Sequence, residues 1–235
     1  MTAMVRSGTW PPLAVRRDAN REHFGLTYRF YPTDVTLMGL FNWAAPIFGR
    51  FADRWSPESI EEIVGWLAPF MNGTRPSEHH LLDVGGGTGA LASRLHAATG
   101  ARITVLDPTP QMLNYVPDSD SITAVLGTAE EMPFPDDTFD AVLVTDAFHH
   151  FRDQPAAVDE FRRVVRTGGG VVVVELDPTG WFMRGIAFGE KLLGEPGAFF
   201  TPEQMCAFMA AHGINGECTR MSGPSYRFVG TVSSR

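Results

Sequence analysis

The sequence predicts an α/β protein: a mostly parallel seven-stranded sheet with helices on both faces, a helical N-terminal cap and a C-terminal antiparallel hairpin. Three observations predict it. An apolar run, Leu81-Leu82-Asp83-Val84, ends in Gly85-Gly86-Gly87-Thr88-Gly89 and leads into a helical pattern, a strand–turn–helix unit. From there to residue 177, short apolar runs alternate with helical periods, which argues for a parallel sheet covered on both faces. The tail, Cys218–Met221 and Tyr226–Val232 around Gly223-Pro224, reads as a closing hairpin.

Taken in order, residues 1 to about 22 mix Pro, Arg and polar residues without a period and read as an arm. Residues 24–53 crowd together aromatic and aliphatic side chains, among them Phe24, Tyr28, Phe41, Trp43 and Phe51. Such a span suits a cap packed on the core or a lid over a substrate. The expected division is an arm and cap over 1–55 and the main domain over 56–235. A helix begins at the Ser56 cap with Pro57 in its first turn, and Ile60, Ile63, Val64, Leu67 and Phe70 form its apolar stripe. After the glycine turn, Leu91, Leu95 and Ala98 mark the buried face of a helix that Gly100 stops. Further strands are expected at Ile103–Leu106, Ile122–Leu126, Ala141–Thr145 and Val171–Val174. A helix carrying Val158, Phe161 and Val165 on one face is expected to stop at Gly168-Gly169-Gly170. Residues 179–200 break the alternation with Trp181, Phe188 and Phe199 among others, and read as a second lid element. Thr201-Pro202-Glu203-Gln204 is a capping box that opens a helix through His212.

Composition narrows the class of partner. A net charge of −8 argues against a nucleic-acid surface, which needs clustered Lys and Arg. No run of 18 apolar residues occurs, so no transmembrane helix is expected. Arg6, Arg16 and Arg17 have no long apolar stretch between them, so no signal peptide is expected. Cys206 and Cys218 lack metal-ligand spacing; no metal is expected, and a reduced, cytoplasmic setting is the simplest. A homo-oligomer is compatible with all of this.

The glycines point to a ligand. A side chain there would block close approach of the backbone, and the turn presents helix N-terminal amides. Gly85-x-Gly87-x-x-Ala90 satisfies the dinucleotide pattern, and Asp107 closes the next strand at the spacing for a carboxylate on a ribose diol. Both features serve an adenosine of any kind. Ligands of open α/β sheets bind at the carboxyl ends of the strands. Polar residues gather at those ends here: Asp83, Asp107, Thr128 to Glu130, Thr145, Asp146, His149, His150, Glu175 and Asp177.

In four stretches the sequence resembles the class I S-adenosylmethionine-dependent methyltransferases of the small-molecule branch. These are Leu82 to Gly89, Leu106-Asp107, Thr128 to Asp140 (with the run Glu-x-Met-Pro-Phe-Pro-Asp-x-x-Phe-Asp) and Phe161 to Gly170. The layout is similar to quinone-biosynthesis and polyketide-tailoring members. The resemblance implies a Rossmann-like sheet and S-adenosyl-L-methionine as cofactor. It implies that Gly85, Gly86, Gly87 and Gly89 carry the methionyl part, with Asp83 beneath them, and that Asp107 accepts from the ribose hydroxyls. Thr128, Ala129 and Glu130 would border the adenine, Thr128 standing where many relatives have Asp, and Thr145 would offer its backbone near the amino-acid end. His149 or His150 would serve as general base, with Glu175 ending the neighbouring strand. The expected reaction is methyl transfer to carbon or oxygen of a small aromatic or lipid-like acceptor. A nicotinamide-dependent oxidoreductase on the same half-fold and a non-catalytic cofactor-binding module are the alternatives.

Overall fold

The computed structural model describes residues 55–72, 75–180 and 198–234. The expected cap at 24–53 and all but the ends of the insertion at 179–200 lie outside the described residues.

Ser56 caps α1 (Pro57–Leu67) by accepting from Ser59 N, with Pro57 in the first turn where its missing N–H costs nothing. The strand β1 (His80–Val84) enters the glycine turn, and α2 (Ala90–Thr99) leaves it, ended by Gly100 as C-cap. Leu91, Ala92 and Leu95 form its buried face; Ala98, expected there, is exposed. Then follow β2 (Arg102–Asp107), the short α3 (Pro110–Leu113), β3 (Ile122–Leu126), β4 (Phe139–Thr145), α4 (Gln154–Val164) and β5 (Val165–Leu176). The chain closes with α5 (Pro202–Ala211), β6 (Ile214–Arg220) and β7 (Ser225–Val232). The Thr201/Gln204 capping box is formed in both directions.

The sheet has seven strands in the order β3-β2-β1-β4-β5-β7-β6, parallel except where β7 pairs antiparallel with β5 and β6. Pleating splits its side chains between two cores. Leu82, Val84, Val142, Val144, Val171 and Val173 join the face covered by α4 and α5. Leu81, Ile103, Val105, Ala141, Leu143 and Val172 join the face covered by α1 and α2. The reversal between β3 and β4, on either side of β1, opens a crevice at the carboxyl ends, where ligands of such sheets bind. Beyond β5 the antiparallel hairpin occupies the place where a second mononucleotide unit would continue.

One boundary differs from expectation. α4 ends at Val164, and β5 already begins at Val165, running through Gly168–Gly170. The pairing of β4 with β5 skips from Phe139↔Val165 to Ala141↔Gly170, so the extra residues form a bulge rather than a last helical turn. Gly170 is required there because a Cβ would run into the Phe70 ring.

The Met132-to-Asp137 segment, the most distinctive motif of the sequence, is held by α4. Arg163 donates to Met132 O (3.0 Å) and Phe134 O (2.7 Å) and pairs with Asp136 (3.0 Å). Glu160 accepts Met132 N (2.7 Å) and grips Arg163 in turn (2.6 Å). The motif's residue choices are thus a loop anchor beside the site. Replacing Arg163 with Met removes the donors from two carbonyls and unbalances Glu160. The expected loss is about 1–3 kcal/mol in unfolding free energy, measured by urea titration.

Candidate active site

The glycine turn is shaped by what lies against it. Gly85 (φ 70°) is so close to the loop after β4 that a Cβ would lie 2.6 Å from the Ala147 Cβ. At Gly86 a Cβ would lie 2.6 Å from Asp83 Oδ2, so the Asp83 carboxylate sits directly under the turn. A Cβ added at Gly87 (φ 56°) would meet no atom of the described residues within 4 Å, and this side of the turn forms a cradle. Only a residue without a side chain keeps both the close packing below and the free backbone above.

Two carboxylates floor that cradle. Asp107 accepts from Gly87 N (3.0 Å) and Thr109 N (2.8 Å), so it ties the end of β2 to the turn after β1. Each of its oxygens retains a second lone pair for a ligand hydroxyl. Asp83 is 1% exposed, and among the described residues neither of its oxygens has a hydrogen-bond partner. Burial, with the Asp107 charge nearby, pushes its carboxyl up to about 7. Burial raises Asp107 too, against the two N–H donations that favour its charged form.

The next strand ends complete a continuous rim. Thr128 bridges Glu131 after β3, and Ala129 is buried in the core. The Glu130 carboxylate accepts Arg152 N (2.8 Å) and Asp153 N (3.4 Å), which binds the loop after β3 to the start of α4. Glu130 therefore braces the rim through its side chain. After β4, Thr145 leads into Asp146, whose backbone takes the left-handed φ of 48° and whose N–H bonds Val174 O (2.9 Å). The turn over 148–150 then presents both histidines.

His149 and Glu175 meet as a buried pair, 5% and 0% exposed. His149 Nδ1 lies 2.8 and 2.9 Å from the two carboxylate oxygens. His149 N and Leu176 N also donate to the same group, at 3.2 and 2.8 Å. A carboxylate only accepts, so Nδ1 carries the hydrogen in this pair, and Nε2 is the ring nitrogen on the side away from Glu175. The His150 ring stands 4.0 Å from that of His149, tilted by 51°. The pair with Glu175 has the orientation of a base held by an acid, and it is buried.

The chain is similar to known proteins in sequence and in fold. Residues 82–173 match a family described as a methyltransferase domain. The ubiquinone/menaquinone biosynthesis C-methyltransferase of Vibrio campbellii is 32% identical over 176 residues, 68% of this chain and 67% of that protein. The chain belongs to the class I S-adenosylmethionine-dependent methyltransferases. An uncharacterized methyltransferase of Mycobacterium tuberculosis is 37% identical over 123 residues, covering 52% of this chain and 47% of the relative. The chain thus spans about half the length of several curated relatives it matches. The solved structure of the cyclase SpnF shares the fold with a TM-score of 0.70, at 14% identity, over 87% of this chain and 98% of its own.

The cofactor of this class fits the residues present. S-adenosylmethionine carries ribose hydroxyls, an ammonium and a sulfonium. A cradle free of side chains above two buried carboxylates suits all three, and the unpartnered Asp83 is the atom group such a cation would satisfy. Gly85 to Gly89, Asp83 and Asp107 would hold it. Among the described residues, no helix is long and apolar enough to cross a membrane. Sequence reasoning missed Gln154 and Phe199, which contact the His149 segment; a glutamine beside Asp153 carries no signal of burial, and Phe199 was legible only as part of an aromatic span.

Two outcomes follow for the acidic floor. The folded protein keeps a proton on Asp83 that the unfolded chain has lost above about pH 4, so the penalty grows as pH rises toward about 7. Asp83→Asn should therefore raise unfolding free energy by about 2–4 kcal/mol at pH 8 and by almost nothing at pH 4, read by thermal melts across pH. Asp107→Ala should weaken S-adenosylhomocysteine binding by about 1.5–3 kcal/mol in calorimetry, through the lost charge-assisted hydrogen bonds.

Proposed function

We propose that this chain transfers a methyl group from S-adenosylmethionine to a carbon or oxygen atom of a small aromatic or lipid-like acceptor, with His149 as general base. The observation that carries the base is the buried His149–Glu175 pair, with Nδ1 committed to the carboxylate and Nε2 facing away from it. When bound, the cofactor supplies an electrophilic methyl on a sulfonium. The chain's own residues do the rest. Asp107 fixes the ribose, the glycine turn carries the methionyl part, and Asp83 meets positive charge beneath the turn. Glu175 holds the imidazole in one tautomer and stabilises the imidazolium that forms when Nε2 takes a proton from the acceptor. A phenol, enol or acidic carbon has such a proton to give. The relative from Vibrio campbellii, named a ubiquinone/menaquinone biosynthesis C-methyltransferase, supports an acceptor of quinone-like character.

The net charge of −8 favours a small molecule over nucleic acid, and the aromatic content of residues 24–53 and 179–200 favours an apolar acceptor. The division into an arm and cap over 1–55 and a catalytic domain over 56–235, in a cytoplasmic protein, belongs to the same reading.

The test is methylation from radiolabelled S-adenosylmethionine across a panel of phenols, quinols and isoprenoids. His149→Ala should lower kcat by about 10²–10⁴ while S-adenosylhomocysteine affinity holds. Full turnover by that variant assigns catalysis to positioning alone, and binding without turnover on every acceptor favours a cofactor-binding module.

A further inference from the structure

Residues 198–200 belong to no helix or strand, yet they are held firmly. Gln154, the first residue of α4, is 7% exposed, and both ends of its carboxamide are hydrogen-bonded. Its Nε2 donates to Phe148 O (3.0 Å) and Ala198 O (2.8 Å), and its Oε1 accepts from Ala198 N (3.3 Å). Phe148 and Ala198 directly precede His149 and Phe199. The rings of those two stack, with centroids 4.3 Å apart and planes at 15°. Phe200 extends the hold: its carbonyl accepts from Tyr226 Oη (3.0 Å), and its ring lies 4.9 Å from that of Phe208.

The stack supplies what Glu175 lacks. One Nδ1–H shared between two carboxylate oxygens works as a pivot, about which the imidazole can roll and carry Nε2 out of line. A parallel ring against its face blocks that roll and excludes water from that side. One carboxamide sets the separation of the two backbones that carry the rings. A glutamine serving only to satisfy backbone groups has no need to join these two positions.

We infer that Phe199 is a positioning residue for His149, held in register by the Gln154 carboxamide. This rests on the reading of His149 as the base, and its test uses no turnover.

The full chain, labelled with ¹⁵N-histidine and saturated with S-adenosylhomocysteine, is examined by NMR. The His149 Nδ1–H signal is identified by its loss in His149→Ala, and its exchange with solvent is measured. Phe199→Leu keeps apolar bulk without a flat face, and Gln154→Met keeps length without donors. Each should speed exchange by about ten- to a hundredfold, corresponding to the loss of a buried contact. Phe199→Tyr, which keeps the flat face, should restore it to within about threefold of the wild type. Unchanged exchange in Phe199→Leu overturns the inference, as does equal acceleration in Phe199→Tyr. Should Gln154→Met fail to fold, the Leu and Tyr variants decide alone. Normal turnover by His149→Ala would remove the base while leaving this coupling measurable, so the two failures are distinguishable.

Discussion

A buried carboxylate beneath a turn of glycines, with no hydrogen-bond partner among the described residues, is the constraint on which the rest of this site depends. Asp83 is placed on the sheet face that otherwise carries Leu81, Val105 and Leu143, so its desolvation is not relieved from below. Relief must come from above, through the turn. The turn can admit it only because residues 85–87 have no side chains. Asp107, one strand over, adds negative charge rather than removing it. A floor of this kind is costly in an empty protein and favourable under a cation. Such stored cost is a common mark of binding sites.

The remaining strand ends are linked to this floor by hydrogen bonds rather than by proximity alone. Asp107 joins the ends of β1 and β2, Glu130 joins the loop after β3 to α4, and Asp146 N joins β4 to β5. Glu175 collects three N–H donors and passes that order to the imidazole of His149. The rim therefore behaves as one preorganised surface, which suits a reaction whose acceleration rests on alignment and on a single proton transfer.

Much of this was legible in the sequence. The five parallel strands follow from apolar runs with turn residues between them, and the hairpin from Gly223-Pro224. The caps at Ser56 and Thr201 follow from side chains that can satisfy helix N–H groups. The helix expected to reach Gly168 could not be bounded that way, because Val165 fits an apolar helical face and a buried strand equally well. Tertiary pairing with Phe139 decided it. Glu130 was legible as a rim residue, but not its attachment to the amides at 152 and 153, which are distant in sequence.

By itself, then, the sequence determined the architecture, the glycine cradle and the acidic residues at the ends of β1, β2, β4 and β5. Those are local properties: periodicity, turn chemistry and the position of a charge after an apolar run. Only the tertiary structure decided that Asp83 has no partner, that His149 rather than His150 faces Glu175, and that Gln154 ties Phe148 to Ala198. The His149–Glu175 and Gln154–Ala198 contacts join groups tens of residues apart within 3.5 Å, and the burial of Asp83 depends on the strands on either side of it. Such a meeting is set by the register of β4 against β5 and the packing of α4, which no local pattern encodes.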